Sequence, residues 1–325
     1  MSLPSASGSR SPSRVIGRLA PSPTGHLHLG HARSFLLAWW SARSQGGQVL
    51  LRFDDLDGQR CQPEFAAQAQ RDLQWLGLDW DGAPTFQSTH QALFDRAIQR
   101  LLESNACYPC VCSRRDVEAA IAAPHAGQSE PRYPGTCRGR FQSIEQAQRE
   151  TGKAACLRLL VTPGEVRFQD GLFGEQVCDV QQTIGDFVVQ RRDGSTAYQL
   201  AVVVDDDKQG VTEVVRGEDL LPSTARQLLL QRALDLVHPR WIHVPLVNDN
   251  MGARLAKRAD SLSLQTLRDA GIDARSIVAW AATSAGLSVP IRCTAQEALR
   301  AFDWVRIGRA PVNLPENPLN ALGAP

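Results

Sequence analysis

Residues 14–54 read RVIGRLAPSPTGHLHLGHARSFLLAWWSARSQGGQVLLRFD. The first seven have the character of a short buried strand, which stops at the Pro-Ser-Pro-Thr-Gly turn of residues 21–25. From Leu29 to Ser44, Ala32, Phe35, Leu36 and Trp39 recur at helical spacing until Gly46-Gly47 ends the run. Residues 48–54 form a second strand. Pro63 suits the first turn of a helix that reaches Trp75 and closes at Gly77. Ser88 with Gln91 makes a capping-box pattern ahead of a helix reaching Leu102. Strand, helix, strand, helix in this order predicts an α/β fold with a parallel sheet and crossover helices.

Beyond residue 106 the rhythm breaks. Residues 107–185 are rich in Gly, Pro and short β-like pieces, which reads as an insertion between two halves of the sheet. AYQLAVVVDD at 197–206 and VTEVVRG at 211–217 read as strands that restore the core, followed by a helix over about 223–236. From Ile242 come strand-like IHVPLV, a basic loop at 254–258 and two helices to about Leu287. The expected units are a disordered tail (1–13), a Rossmann-like first half (14–106) and the inserted α+β subdomain (107–185). A second half (186–240), a segment with the basic loop and helices (241–300) and a loose C-terminal end (301–325) complete them.

The whole chain has 325 residues, 35 Lys+Arg against 34 Asp+Glu and a net charge of +1. That balance excludes a polycation that coats nucleic acid by charge alone, while leaving room for a local basic groove. No stretch approaches the roughly 20 apolar residues of a membrane span, and the first residues lack a secretory h-region. A cytoplasmic protein that meets no membrane is expected. Of the 8 Cys, Cys107, Cys110, Cys112 and Cys137 gather in the insertion, a pattern that suggests a metal site more than a disulfide framework. Only Cys110, Cys112 and Cys137 are good soft ligands by spacing. Cys107 or His125 could supply the fourth position that zinc requires.

The chemistry centres on APSPTGHLHLGH, residues 20–31. A turn between a first strand and a first helix is where an open α/β sheet holds phosphate, because helix N–H groups and the dipole's positive end converge there. His28 and His31 flank Gly30 at that helix start and can hydrogen-bond a phosphoryl group during displacement, while Gly30 lets base or ribose approach the backbone. Ordinary capping roles would explain the same histidines. Late in the chain Arg254-Leu255-Ala256-Lys257-Arg258 offers a Lys for a leaving pyrophosphate, or else a solvated basic turn. Trp39, Trp40 and Trp75 read as helix core. Asp205-Asp206-Asp207 reads as a strand-end turn, and Arg191-Arg192 with Arg254 and Arg258 as possible phosphate contacts or solvated faces.

Four stretches together resemble the class I aminoacyl-tRNA synthetases, specifically the glutamyl branch. PSPTGHLHLGH looks like its HIGH signature, and LRFDDLD (51–57) like its LR-x-[ED]-D-x-D strand end. AYQLAVVVDDDKQGVTEVVRGEDLL (197–221) is similar to its second-half signature, and RLAKR stands in place of its KMSKS loop. Within the branch the chain looks like the short paralogous family, the glutamyl-Q tRNA(Asp) synthetases, since it ends before anticodon-reading domains would follow.

That resemblance implies tRNA-independent activation of L-glutamate with ATP, then transfer to the queuosine base at the wobble position of tRNA(Asp). It implies that His28, Gly30, His31 and Lys257 meet ATP, with His28, His31 and Lys257 as the catalytic residues. Arg18 and Arg216 would select the second carboxylate, with Ala20 and Ser22 lining the pocket and Tyr198 adding a hydroxyl and a ring wall. Asp54 would face the α-ammonium, although the family has Glu there and a water could bridge the shorter side chain. Ala256 replaces the family's Ser, removing one hydroxyl donor. A structural zinc, one per chain, would sit on Cys110, Cys112, Tyr133 and Cys137. Mg²⁺ would arrive as the counter-ion of the nucleotide with few protein ligands. A monomer is expected. The competing readings are a discriminating glutamyl-tRNA synthetase charging a 3′ end, an H-x-G-H nucleotidylyltransferase, and an inactive zinc-bearing tRNA-binding module.

Overall fold

A computed structural model describes residues 14–119, 132–252, 255 and 262–322. The tail before residue 14 and the side chains of His125, Arg254, Ala256, Lys257 and Arg258 lie outside those residues.

The first half follows its pattern closely. Strand β1 (Ile16–Leu19), helix α1 (Leu29–Ser44), strand β2 (Gln48–Phe53), helix α2 (Pro63–Trp75) and strand β3 (Thr85–Phe86) build a parallel sheet in the order β1-β2-β3. Helix α1 is buried along most of its length, with Trp39 and Trp40 in the core as the sequence predicts. Helix α3 (Gln91–Glu103) does not start with the expected capping box. The Ser88 hydroxyl instead donates to Asp55 Oδ2 at 2.6 Å, and a 3-10 turn over Gln87–His90 leads into the helix. A carboxylate within reach outcompetes the local cap.

The middle of the chain contributes strand β4 (Cys107–Cys110), helices α4 (Arg114–Ala119) and α5 (Ile144–Thr151), and strand β5 (Cys156–Leu159). Strands β6 (Val166–Asp170) and β7 (Gly174–Cys178), helix α6 (Val180–Thr183) and strand β8 (Val188–Gln190) follow. Strands β4, β5 and β8 form an antiparallel sheet of their own. The β6–β7 hairpin departs from a self-contained insertion, because β6 pairs in parallel with a strand of the second half, Trp241 opposite Asp170.

The largest correction concerns residues 197–206, which form helix α7 (Tyr198–Lys208) and no strand. Leu200, Ala201, Val202, Val203 and Val204 are all buried, so the helix is apolar on every side. A short all-apolar run of this kind has no period that separates a buried helix from a buried strand. Asp205 and Asp206 therefore lie buried within a helix and not at a strand end.

Strand β9 (Glu213–Gly217), helix α8 (Leu221–Ala233) and strand β10 (Arg240–Val244) complete the sheet. Thr212 N donates to Ile16 O and its hydroxyl accepts from Ile16 N, joining β9 to the free edge of β1. The strands thus run β3-β2-β1-β9-β10-β6-β7. In such a sheet the crevice at the carboxyl ends of β1 and β9 is where ligands bind.

Strand β11 (Val247–Asn248), helices α9 (Leu264–Asp269), α10 (Ala274–Ser284) and α11 (Ala295–Leu299), strand β12 (Val312–Asn313) and helix α12 (Pro318–Ala321) form the C-terminal part. Residues 304–322 are not the loose end expected of them. Trp304 Nε1 donates to Ser41 Oγ at 2.9 Å, β12 pairs with β11, and Ile307, Leu314 and Leu322 are buried. Pro and Asn suggested a frayed terminus, but these apolar side chains fasten it to the core around α1.

Candidate active site and metal centre

His28 is the N-cap of α1, with its Nδ1 accepting from Gly30 N at 3.1 Å. His31 Nδ1 accepts from His28 N at 3.2 Å, and the two rings lie 3.8 Å apart between centroids. Acceptance at Nδ1 puts the proton of each neutral ring on Nε2. The capping role is therefore compatible with an Nε2–H donor on each ring. A Cβ on Gly30 would come within 3.0 Å of His28 Cε1, so glycine there makes room for the imidazole.

The chain from residue 262 onward returns to the same place. Ser263 bridges His28, and Leu264 N donates to Leu27 O at 2.7 Å. Leu255, inside the basic loop, is buried in the main core. Residues 263 and 264 are thereby tied to the histidine turn.

Arg18 on β1 and Arg216 on β9 are both buried. Arg18 Nη1 donates to Val215 O at 3.1 Å and its Nε stands 3.8 Å from Asp206, with no hydrogen-bond partner. Arg216 spends Nε on His243 (3.0 Å) and Nη2 on Thr224 (2.8 Å), and its Nη1 has no partner. Among the described residues no carboxylate pairs with Arg216. Burial lowers its pKa to about 10, which still leaves it charged at neutral pH. Burial likewise lowers Arg18, against the pull of Asp206. Two cations with bare N–H groups are costly inside a protein unless an anion meets them.

The other expected residues surround them. Asp54 N donates to Pro21 O at 3.0 Å, which ties the end of β2 to the turn holding half-buried Ala20 and exposed Ser22. Tyr198 opens α7, its phenol pKa raised by burial and also acted on by Arg216, Asp54 and Arg18. Asp54 itself is raised by burial, against the opposing charge of Arg52.

Arg52 is the residue that motif reading passed over. Its Nε binds Asp54 at 2.9 Å and its Nη1 binds Asp206 at 2.6 Å. Burial works against this cation, but Asp54, Asp206 and Asp205 outweigh it and raise the pKa. A charged residue inside the apolar run QVLLRF was the available signal. His243 and Asp170, buried beside Arg216, carried no motif at all.

In the insertion Cys110, Cys112 and Cys137 bring their sulfurs within 4.8 Å of one another. Tetrahedral zinc with Zn–S near 2.3 Å sets sulfurs about 3.8 Å apart, so the three fit one ion. Tyr133 Oη lies 3.2 Å from Cys110 Sγ and 3.9 Å from Cys112 Sγ. Hydrogen bonding by Cys156, then Tyr133 and Arg158, overcomes burial and lowers Cys110 to about 4, a thiolate ready for a cation. Burial, with the charge of Cys110, pushes Cys112 up to about 12, and burial raises Tyr133 as well. Cys107 packs in a separate core cluster, away from the three converging thiols, so it is no fourth ligand. Gly185 has φ of +74° and a Cβ there would meet Tyr133 O at 2.3 Å; glycine lets Ile184 O accept from Tyr133 N. A cavity of about 690 Å³ opens beside the cluster, lined by Arg114, Arg158, Arg191, Arg192 and Arg226 among others. Arg192 is anchored there by donating to Val111 O.

A Rossmann-like sheet with a histidine turn and a buried basic crevice defines a nucleotide-dependent enzyme. The family model of class I tRNA synthetases (E and Q), catalytic domain, matches residues 14–305. The chain belongs to this family and is a ligase of the class I aminoacyl-tRNA synthetase type. It is 44% identical to the glutamyl-Q tRNA(Asp) synthetase of Rhodopirellula baltica, over 92% of this chain and 96% of that one. It is 46% identical to the protein of the same name from Nitratidesulfovibrio vulgaris, over 84% and 87%. The fold is that of a glutamate tRNA ligase from Elizabethkingia meningosepticum, with TM-score 0.81 and 24% identity, covering 95% of this chain and 69% of that one. Among the described residues no helix is long and apolar enough to cross a membrane.

Proposed function

We infer that the protein activates L-glutamate with ATP, without tRNA, and transfers it to the queuosine base at the wobble position of tRNA(Asp). The observation that carries the first half is the pair of buried guanidiniums, Arg18 and Arg216, each with an unpartnered nitrogen at the end of its strand. A dicarboxylic amino acid supplies a carboxylate that can accept from these unpartnered nitrogens. The names of the relatives support the second half.

In the activation step a glutamate α-carboxylate oxygen attacks the α-phosphorus of ATP. The bond to the bridging oxygen breaks and pyrophosphate leaves. The nucleophile is already ionised, so the protein positions the reactants and stabilises charge. His28 and His31 donate to phosphate oxygens beside the start of α1, and Lys257 neutralises the departing pyrophosphate. Arg18 and Arg216 hold the side-chain carboxylate, Tyr198 walls the pocket with Ala20 and Ser22, and Asp54 faces the ammonium. Because Arg52 already binds one Asp54 oxygen, the other is the one that serves. In the second step a queuosine hydroxyl attacks the carbonyl carbon of the adenylate and AMP leaves.

Mg²⁺ accompanies the nucleotide. Cys110, Cys112, Tyr133 and Cys137 hold one zinc, which fastens the loops of the insertion. The arginine-lined cavity beside it receives RNA phosphates, with Arg191 and Arg192 among the contacts. Glutamate-dependent exchange of pyrophosphate into ATP, run without tRNA, tests the activation. Exchange that requires tRNA points to the discriminating synthetase, and none at all to a binding module.

A further inference from the structure

Arg216 and His243 are register partners on adjacent parallel strands, β9 and β10, so their side chains leave the same face side by side. Asp170 ends β6, next to β10, and its Oδ2 lies 2.6 Å from His243 Nδ1 and 3.1 Å from His243 N. Its Oδ1 accepts from Leu172 N (2.9 Å) and Phe173 N (2.8 Å). All three side chains are buried. The carboxylate can only accept, so the His243 proton sits on Nδ1. The lone pair on Nε2 then receives Arg216 Nε–H at 3.0 Å. Thr224 Oγ1 takes Nη2 and lies 3.2 Å from His243 Nε2, and the Trp241 ring lies under the guanidinium at 4.7 Å. Every side of the guanidinium is fixed except Nη1.

We propose that Asp170 and His243 are positioning residues for glutamate recognition: they impose the imidazole tautomer that clamps Arg216 and leaves Nη1 aimed at the substrate carboxylate. This rests on the reading that Arg216 receives glutamate. The chain from Asp170 also makes the β6–β7 hairpin part of the amino-acid pocket. Burial, together with the charge of Arg216, lowers the His243 pKa despite Asp170, which agrees with a neutral acceptor.

Asp170→Asn tests this with little change of shape. The amide oxygen must stay with Leu172 N and Phe173 N, so the NH₂ faces His243 Nδ1 and moves the ring proton to Nε2, against Arg216 Nε–H. In pyrophosphate exchange the variant should raise the KM for glutamate by about tenfold or more, with the KM for ATP within about twofold. His243→Gln, whose amide oxygen can accept from Arg216, should keep the glutamate KM within about threefold. An unchanged glutamate KM in Asp170→Asn, or equal losses for both substrates, overturns the proposal. Arg216→Ala separates the two readings. If it raises the glutamate KM while Asp170→Asn does not, only the positioning role fails; if it leaves that KM unchanged, the glutamate assignment fails. Nitrogen NMR of the ¹⁵N-histidine-labelled wild type needs no variant to fold: the His243 Nε2 resonance is predicted to be unprotonated, and a proton there contradicts the tautomer.

Discussion

Arg18, Arg52 and Arg216 show why the same residue type does different work a few ångströms apart. Arg52 is saturated by Asp54 and Asp206 and holds the crevice together, whereas Arg18 and Arg216 keep bare nitrogens. Arg18→Ala should therefore raise the glutamate KM by about tenfold or more while ATP binding stays near wild type, measured by exchange kinetics. His28 has two duties, so its substitution must be chosen with the cap in mind. His28→Ala should lose both the cap, about 1 kcal/mol of stability, and adenylate formation by more than about tenfold. His28→Asn should keep the cap and still lose the activity. Thermal melts alongside exchange rates separate the two. The His243 pKa, depressed by burial, also sets a sign for acid stability. Its neutral form contributes stability that is complete above the ordinary value of about 6.5 and is lost as pH falls through the lower folded-state value. Denaturant midpoints between pH 5 and 7.5 should therefore fall toward acid, and less so in His243→Gln.

At the scale of elements, the sequence spoke most clearly where Gly and Pro mark the ends of an element. Helix α1 and helix α2 have the bounds that their spacing and flanking Gly and Pro predict. Helix α7 was illegible: buried between α3 and α8 in one core cluster, it has no polar face to reveal its turn. Its identity is testable by packing. Leu200 is wholly buried there, and Leu200→Ala should cost about 2–5 kcal/mol in chemical denaturation, with a loss of Tyr198-dependent activity. The insertion was legible as a cysteine cluster, since Cys110, Cys112 and Cys137 do converge. The partnership of β6 with β10 was not, because one pairing across some seventy residues leaves no local pattern. Cys137→Ser should lower zinc content by elemental analysis and make the insertion more sensitive to proteolysis, whereas Cys107→Ser should retain the metal.

Across the whole molecule, a net charge of +1 means that RNA is met by placement of charge and not by its total. The arginine-lined cavity of the insertion reaches Gln199, the neighbour of Tyr198 at the N-terminal end of α7. The C-terminal segment, bound back onto α1 through Trp304 and Leu322, serves as a brace for the catalytic sheet. The identity of the acceptor is the central claim, and labelled glutamate decides it: the purified protein is incubated with ATP, glutamate and tRNA(Asp), with and without queuosine. The account predicts label on the queuosine-bearing tRNA alone. Equal labelling of both tRNAs would contradict it.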